Sequence, residues 1–375
     1  MVKRRRLSGR RPELLLLAVA SLLAFGGAEL AVRWLAPQAL PEGDRYYRAD
    51  AELGWTLKSD EEGVLSNRVD FSTQVRTNAL GLRGGPPAGG HPGVLGVGDS
   101  FMFGFGVEEE ESFLAVAARR LGGEALNAGV PGYDVCQAVD LAARLLPRLD
   151  ADAVVLSAFV GNDERDAGEG RGRMVVRDGV FREPGSQERP KSLRRRLLHP
   201  IFVRSHLVRL IRFSPLTEAL EARLFGKASL RQRALGSLLS TFEDPPPEIV
   251  LEGNRLTREC LPRLRRLGEQ SGVPVLAVLV PDKLQIYPEL LAREIESASL
   301  SGRRFDLQAP ERRWLRLVAE AGIPVLELLP ALREEAAAGR PPYFQADRHF
   351  TVEGCRRVGE LIADALRGLL ATSAS

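Results

Sequence analysis

From residue 94 onward, short apolar segments alternate with longer amphipathic segments, and this alternation is the feature that most constrains the fold. The apolar segments have the length and composition of buried strands, and the amphipathic segments have helical periodicity. We predict strands at 94–98, 124–130, 153–163, 273–281 and 323–330, and helices at 112–121, 134–149, 254–271, 308–322 and 352–370. Strands that alternate with helices pair in parallel through right-handed crossovers. The sequence therefore predicts an α/β fold, a three-layer α/β/α sandwich around a parallel five-stranded sheet.

The alternation stops after the third strand, where a helical insertion at about residues 164–247 interrupts it. The insertion is charged and glycine-rich at first and then strongly basic with a helical pattern, as in "SLRRRLLHPIFVRSHLVRLIRF". A basic amphipathic segment of this kind is either a solvated helical pair or a contact with a membrane surface or a polyanion. The residues leave both interpretations open.

The N-terminus has the pattern of a membrane-targeting segment. Lysines and arginines cluster within residues 3–11, and an apolar run from Leu14 to Ala28 follows, which "LAVRWL" extends to Leu35. The positive-inside rule places the basic end in the cytoplasm and the following residues across the membrane. We predict that residues 1–36 form a basic tail and a transmembrane signal-anchor helix; the alternative is a cleaved signal peptide.

Between this helix and the first strand of the sheet lies a segment with few long apolar runs. It spans residues 37–93 and ends in "GGPPAGGHPG". Glycine and proline clusters of this kind interrupt regular structure, so we predict an extended lead-in with short strands. The main domain is then predicted to span residues 94–372, with the insertion inside it.

Charge and cysteine content narrow the classes of partner. The net charge of +3 is small, so no overall field favours nucleic acid. Cys136, Cys260 and Cys355 are widely spaced and form neither a CxxC motif nor a Cys/His cluster, which argues against a zinc site. One pair could form a disulfide in an oxidising compartment, and the sequence does not say which pair.

The stretch "VLGVGDSFMFGFG" runs from the first predicted strand into a glycine-rich turn that contains Ser100. A dinucleotide-binding turn needs a glycine where the chain has Phe101, and a phosphate-binding loop needs a Gly-Lys pair that is missing. The nucleophile turn of α/β-hydrolases needs a glycine where Met102 stands. What remains is a Gly-Asp-Ser turn, in which the serine is either a helix cap or a nucleophile.

A serine nucleophile needs a base, and the base needs an orienting acid. The chain has four histidines, and His349 lies in "ADRHFT" just before the last predicted helix. Asp347, two residues upstream, can bond one ring nitrogen and leave the other for the serine proton. Acyl transfer also needs donors for an oxyanion, which the Gly129 N–H after the second strand and the Asn162 amide after the third can supply. These positions share the edge where the carboxyl ends of parallel strands meet.

The order of these candidate residues along the chain resembles that of the SGNH (GDSL-like) hydrolase superfamily, whose name lists a serine, a glycine, an asparagine and a histidine. The similarity covers about residues 94–165 and 273–370. The lead-in stretches "LGWTLKSDEEG" and "VRTNALGLRG" are similar to a bacterial membrane-anchored branch that is tied to envelope polysaccharide or lipid modification. The resemblance implies a flavodoxin-like SGNH fold and acyl-ester chemistry with neither a metal nor an organic cofactor.

Carried over by position, the resemblance implies that Ser100 is the nucleophile and that Asp347 and His349 are the acid and the base. The Ser100 N–H, Gly129 and Asn162 would form the oxyanion hole. Many members of the superfamily carry Asp-x-x-His, whereas this chain has Asp-x-His, a spacing similar to SGNH-like domains that handle O-acetyl groups on exopolysaccharides. The shorter spacing leaves open that Asp347 caps a turn while another acid orients the histidine.

The expected function is a serine-dependent hydrolase of carboxyl esters, acetyl or other acyl groups, in the cell envelope. The alternatives are an O-acyltransferase that modifies envelope polysaccharide and a catalytically silent module that binds or assembles glycans. The expected partners are a small acyl ester or an acylated glycan and, through the N-terminal helix, the membrane; nucleic acid is not expected. The expected location is the bacterial inner membrane, crossed once, with the catalytic domain on the periplasmic side, or a secreted form if the helix is cleaved.

Overall fold

The computed structural model describes residues 11–36, 46–67, 69–170, 175–177, 180–182, 205–212 and 230–373. The predicted basic tail and much of the predicted insertion lie outside the described residues. The chain divides into two compact units, one of residues 1–41 with 187–229 and one of residues 42–186 with 230–375. The larger unit thus contains the lead-in together with the predicted sheet.

The strands among the described residues are β1 (Tyr47–Asp50), β2 (Gly54–Leu57), β3 (Glu62–Ser66), β4 (Ser72–Arg76), β5 (Gly93–Gly98), β6 (Glu124–Gly129), β7 (Ala153–Phe159), β8 (Val175–Arg177), β9 (Val180–Arg182), β10 (Val275–Val280) and β11 (Val325–Glu327). Five of them form one sheet in the order β11-β10-β7-β5-β6. Every neighbouring pair in this sheet is parallel. The predicted parallel five-stranded sheet is therefore confirmed.

The helices among the described residues are α1 (Arg11–Leu35), α2 (Ser100–Phe103), α3 (Phe113–Leu121), α4 (Val135–Leu145), α5 (Asp163–Gly168), α6 (His206–Arg212), α7 (Leu230–Leu239), α8 (Glu248–Ser271), α9 (Lys283–Ile286), α10 (Leu290–Ser297), α11 (Ala309–Ala321), α12 (Leu329–Ala337) and α13 (Val352–Ser373). Short 3₁₀ turns lie at Glu109–Glu111, Leu146–Arg148 and Ser240–Phe242. The ten main elements lie within a few residues of the predicted ranges.

Two boundaries differ from the prediction for local chemical reasons. The third strand ends at Phe159 rather than at residue 163, because Asp163 begins α5. The helix predicted from residue 254 begins at Glu248, directly after Pro247, which lies in the extended conformation. A proline needs no hydrogen-bond acceptor for its backbone nitrogen, so it is well suited to the start of a helix.

Helices cover both faces of the sheet, which produces the three predicted layers. Leu95 and Val97 of β5 pack with α4, α8 and α11 in one buried apolar cluster, which includes Trp314. Val94 packs on the opposite face with α3 and α13, in a cluster that includes Ile362. Side chains of a strand alternate between its two faces, so a strand buried on both sides is apolar throughout. This explains why β5, β7 and β10 read as continuous apolar runs.

The lead-in is folded onto the α/β unit instead of being extended. It contains two antiparallel hairpins, β1–β2 and β3–β4. The hydroxyl of Tyr133 donates to the carbonyl of Trp55 at 2.5 Å, and the amide of Gln137 donates to the carbonyl of Leu53 at 2.8 Å. Trp55 and Leu53 are both buried. The predicted short strands are present, and they contribute apolar side chains to the core of the larger unit.

A disulfide between Cys136 and Cys260 connects α4 with α8, with 5.5 Å between the two Cα atoms. Cys355 is free and buried. The two cysteines are 124 positions apart in the sequence, and the predicted insertion lies between them. A crosslink that closes a long loop reduces the conformational entropy of the unfolded chain. The bond therefore holds α8, the first helix after the insertion, against the α/β unit.

We expect reduction of this disulfide to lower the free energy of unfolding by about 2–5 kcal/mol. Urea denaturation of the purified protein with and without a reducing agent measures the difference. The Cys136→Ser/Cys260→Ser variant is the control, because its stability should not respond to the reducing agent. Equal stability of the oxidised and reduced wild-type protein would contradict the expectation.

In the smaller unit, α1 packs with α6. The stretch Leu15–Leu35 of α1 is long and apolar enough to cross a membrane, and no described residue of its apolar window is fully buried in the protein. A helix of this length and composition near the N-terminus has the features of an anchor or of a signal sequence.

Candidate active site

Ser100 is the first residue of α2 and follows β5 after a sharp turn. Gly98 adopts a φ of 154°, and a Cβ at this position would lie 2.2 Å from the hydroxyl oxygen of Ser157. Glycine is therefore required where the chain leaves the strand. The carboxylate of Asp99 accepts the N–H of Phe101 and caps the short helix. This capped turn presents the serine at the carboxyl edge of the sheet.

His349 lies within hydrogen-bond distance of both Ser100 and Asp347. Its Nε2 atom is 2.8 Å from the Ser100 hydroxyl oxygen, and its Nδ1 atom is 2.6 Å from a carboxylate oxygen of Asp347. The same carboxylate oxygen accepts the backbone N–H of His349 at 2.9 Å. The three side chains thus form a continuous chain of hydrogen bonds between residues 249 positions apart in the sequence. The shortened Asp-x-His spacing is compatible with this geometry, since Asp347 itself reaches the imidazole.

The Asp347 carboxyl is held in its ionised form. Burial raises the pKa of this group, but the hydrogen bonds from the ring and the backbone N–H of His349 outweigh burial and lower the pKa below its usual range. An anionic partner at Nδ1 fixes the tautomer that leaves Nε2 free to accept a proton. The arrangement therefore leaves Nε2 of His349 facing the Ser100 hydroxyl.

The backbone N–H of Gly129, predicted as an oxyanion donor, is engaged in another bond. It donates to the side-chain oxygen of Asn127 at 3.0 Å. The next N–H, of Val130, donates to the carbonyl of Gly98 at 3.0 Å. The first free N–H of this turn that can donate belongs to Gly132, which has no acceptor among the described residues and adopts a φ of 84°. We therefore correct the candidate donor from Gly129 to Gly132.

The N–H of Ser100 likewise has no acceptor within the described part of the chain. The side chain of Asn162, at the end of β7, donates one N–H to Asp166 at 2.9 Å. An amide nitrogen carries two hydrogens, so the second one is available to a ligand. The sequence predicted Asn162, and the structure adds Asp166 as the group that orients it.

A second acidic group, Asp99, lies next to Ser100 in the chain. Burial raises the pKa of Asp99 to about 6, and the charge of His349 opposes this rise. When ionised, the Asp99 carboxylate stabilises a positive charge on His349.

The loop that carries Asp347 and His349 has no regular structure, and two distant side chains satisfy its backbone. The ammonium group of Lys283 donates to the carbonyls of Phe344 and Gln345 at 2.6 and 2.7 Å. Burial lowers the pKa of Lys283. A lysine that is partly removed from water in this way makes stronger hydrogen bonds to carbonyl oxygens.

Asp70 holds the N–H groups of the same loop. Its carboxylate accepts the N–H of Asp347 at 2.8 Å and that of Ala346 at 3.1 Å. Asp70 lies between β3 and β4, in the lead-in, and the neighbouring Phe71 packs against the ring of Phe344 at 5.3 Å. The sequence analysis missed Asp70, because a single aspartate between two short strands has the pattern of an ordinary turn. The lead-in therefore positions the acid of the candidate site.

Arg348, between the acid and the base, is turned towards other acidic groups. It forms ion pairs with Asp282, at 2.9 Å, and with Glu294. The ring of Phe105 lies 4.6 Å from the imidazole of His349, and Phe101 lies 5.0 Å from it. The His349 ring is thus held by aromatic packing as well as by hydrogen bonds. Within the described ranges, no group of three or more His, Cys, Asp or Glu residues is placed to hold a metal ion.

The family model described as "SGNH hydrolase-like domain, acetyltransferase AlgX" matches residues 251–374. The matched stretch contains Asp347 and His349 and follows Ser100 and Asn162 in the chain. Residues 251–374 of the chain are thus similar to an SGNH hydrolase-like domain. This similarity supports an enzyme of the esterase, acyl hydrolase or acyltransferase type.

The solved structures that match this chain share little sequence with it and have low TM-scores. A lipase/acylhydrolase from Enterococcus faecalis is 14% identical, with 74% of this chain and 96% of that chain covered and a TM-score of 0.35. The structure titled TesA is 14% identical, with 74% and 99% covered and a TM-score of 0.37. The salicylyl-acyltransferase SsfX3 from a tetracycline biosynthetic pathway is 11% identical, with 79% and 60% covered and a TM-score of 0.35. None of the curated protein sequences compared with the chain matches it.

We expect Asp70→Ala to lower kcat for an aryl acetate about 10- to 100-fold with little change in KM, because a small displacement of Asp347 misaligns His349. Steady-state kinetics measure both constants. Glu62→Ala is the matched control, since Glu62 is an exposed carboxylate on the adjacent strand β3. Asp70→Asn, which keeps one acceptor oxygen, should lie between the two.

A double-mutant cycle separates positioning from a general loss of structure. If Asp70 acts through Asp347, most of its effect disappears when Asp347 is already alanine. An equal loss of kcat in the wild-type and Asp347→Ala backgrounds would show that Asp70 acts by another route.

Proposed function

We propose that this protein is a serine-dependent carboxyl-ester hydrolase in which Ser100 is the nucleophile, His349 the base and Asp347 the orienting acid. The observation that carries the proposal is the hydrogen-bond chain from the Ser100 hydroxyl through both ring nitrogens of His349 to Asp347, with distances of 2.8 and 2.6 Å. Nucleophile, base and orienting group within hydrogen-bond reach of one another are the signature of an activated serine.

In the proposed reaction, Nε2 of His349 takes the Ser100 proton while the serine oxygen attacks the ester carbonyl. The bond to the alcohol then breaks, and His349 returns the proton to the leaving alcohol oxygen. An acyl group remains on Ser100. A water molecule, deprotonated by the same nitrogen, then attacks the acyl carbon of this acyl-enzyme. The bond to the Ser100 oxygen breaks, His349 returns the proton to that oxygen, and the carboxylic acid leaves. Asp347 stays ionised throughout and stabilises the imidazolium.

The tetrahedral intermediates carry a negative oxygen that needs hydrogen-bond donors. The unengaged N–H groups of Ser100 and Gly132 and the second amide hydrogen of Asn162 are the donors that we assign to it. All three follow strands β5, β6 and β7, whose ends lie side by side in the sheet. Removing one such donor typically costs about 10²- to 10³-fold in kcat.

Transfer of the acyl group to a sugar hydroxyl is the second candidate reaction. The family description that names an acetyltransferase favours it, and so does the Asp-x-His spacing of Asp347 and His349. The acyl-enzyme is common to both reactions, and they differ only in the hydroxyl that attacks it. We therefore propose O-acetyl or related acyl esters of envelope polysaccharide as the substrate class.

The proposed location is the outer face of a bacterial inner membrane, with α1 as the anchor. The stretch Leu15–Leu35 supports the anchor, since its length and composition suit a membrane span. The Cys136–Cys260 disulfide supports exposure to an oxidising compartment, because such bonds are rare in the reducing cytosol.

We expect Ser100→Ala to reduce hydrolysis of an aryl acetate by about 10⁴-fold or more and to abolish labelling by a fluorophosphonate probe. Spectrophotometric turnover and in-gel fluorescence measure the two effects. Ser297→Ala, an exposed serine at the end of α10, is the control that should keep both. Unchanged turnover in the Ser100 variant would refute the proposed nucleophile, and a wild-type protein that resists the probe would favour a silent binding module.

Hydrolysis and transfer are separated by the fate of the acyl group. We expect addition of an acetyl-accepting envelope glycan to shift products from free acetate to acetylated glycan if the protein is a transferase. Mass spectrometry of the glycan together with an acetate assay measures this partition. An unchanged yield of acetate with no acetylated glycan identifies a hydrolase.

A further inference from the structure

Glu29 is a carboxylate inside the apolar helix α1, and residues of the insertion satisfy it. It accepts hydrogen bonds from the hydroxyl of Ser205 at 2.7 Å and from the backbone N–H groups of His206 and Leu207 at 3.0 and 2.9 Å. The guanidinium of Arg33, one helical turn further along α1, donates to it at 2.9 Å. The Glu29 side chain is only 14% exposed. The anchor and a segment nearly 180 residues away in the chain are thus joined by specific polar contacts.

These contacts cap the start of α6. The first N–H groups of a helix have no partners within the helix and need an outside acceptor. Glu29 accepts two of them, and the hydroxyl of Ser205 accepts a third, from Val208, at 3.1 Å. A negative charge at this end also interacts favourably with the helix dipole. The contact is therefore a stabilised joint between α1 and α6.

The position of Glu29 along the candidate span determines how deep in the bilayer its contact with α6 lies. The residue lies six positions before Leu35, the end of the candidate span, which corresponds to about 9 Å along a helix that rises 1.5 Å per residue. The hydrocarbon core of a bilayer is about 30 Å thick. With the basic N-terminus in the cytoplasm, Glu29 lies in the outer third of the membrane. A segment exported with the catalytic domain can reach this depth only from the outer side of the membrane. Ser205 lies at this depth, because its hydroxyl contacts Glu29.

The composition of α6 fits the same depth. Leu210 and Ile211 are exposed, at 37% and 56%, although both are aliphatic. In the sequence, arginines at 204, 209 and 212 accompany them. Aliphatic side chains next to arginines are typical of helices that lie in the headgroup region, where the arginines reach phosphates and the aliphatic groups enter the acyl chains. An ionisable group within a span also needs partners, and α6 supplies them to Glu29.

We propose that residues 205–212 form a second membrane contact, a short helix that Glu29 docks on the anchor within the outer leaflet of the bilayer. The lipid headgroup and upper acyl region is the partner of its exposed aliphatic side chains. This inference rests on α1 as a membrane span and is independent of the chemistry at Ser100. It gives the strongly basic insertion a role: part of it enters the membrane beside the anchor.

The test uses the full chain in liposomes with a single environment-sensitive fluorophore. Cys136 and Cys260 are bonded to each other and Cys355 is buried, so one added cysteine can be labelled selectively. The labelled variants are Leu210→Cys, the positive control Leu23→Cys within the span, and Leu251→Cys, an exposed leucine on α8 of the larger unit. Lipids that carry a quencher near the headgroup or deep in the acyl chains report the depth of each label.

We expect the label at position 210 to be quenched by the shallow quencher more than by the deep one, and the label at position 251 by neither. Glu29→Ala should reduce the quenching at position 210 to the level seen at 251 while leaving position 23 unchanged. Quenching at 23 but not at 210 would overturn the proposed contact. Quenching at neither position would overturn the membrane span itself. Quenching at 210 that survives Glu29→Ala would overturn the docking role of Glu29.

Discussion

The parallel register of β5 with its two neighbours is the constraint on which the candidate site depends. Gly98 lies opposite Gly129 in β6, and β7 pairs on the other side. Parallel strands end at one edge of the sheet, so the turns that carry Ser100, Gly132 and Asn162 leave it side by side. The glycines allow close packing there, since a Cβ at Gly129 would lie 2.2 Å from a backbone nitrogen. The three candidate donors therefore lie together at this edge because of the strand register alone, without contacts between distant side chains.

The candidate acid and base, Asp347 and His349, are held at this edge in a different way. Their loop is neither helix nor strand, so its N–H and C=O groups cannot be satisfied within a regular element. Asp70 from the lead-in accepts its N–H groups, and Lys283 after β10 donates to its carbonyls. Arg348 is drawn to Asp282 and Glu294 on the same side. The short hydrogen bonds of the candidate site are therefore the outcome of side chains from three separate parts of the chain.

The sequence predicted the repeating elements well and the short or irregular ones poorly. The sheet and its covering helices have long periodic patterns, which reflect burial on one or two faces. Helices such as α2, α5 and α9 span only four to six residues, which is too short for a period to be recognised. The packing of the lead-in was missed as well, since its strands have four or five residues each and their contacts lie far away in the chain.

By itself, the sequence determined the α/β architecture, the apolar N-terminal helix and the residue types of the candidate site. It could do so because periodicity, composition and the spacing of Asp347 and His349 are local properties of the chain. Only the tertiary structure decided which glycine keeps a free N–H, which cysteines pair, and that Asp70 and Glu29 accept hydrogen bonds from segments far away in the chain. Each of these depends on which groups lie next to one another in space. Such groups can be more than a hundred residues apart in the chain, and no local pattern records their proximity.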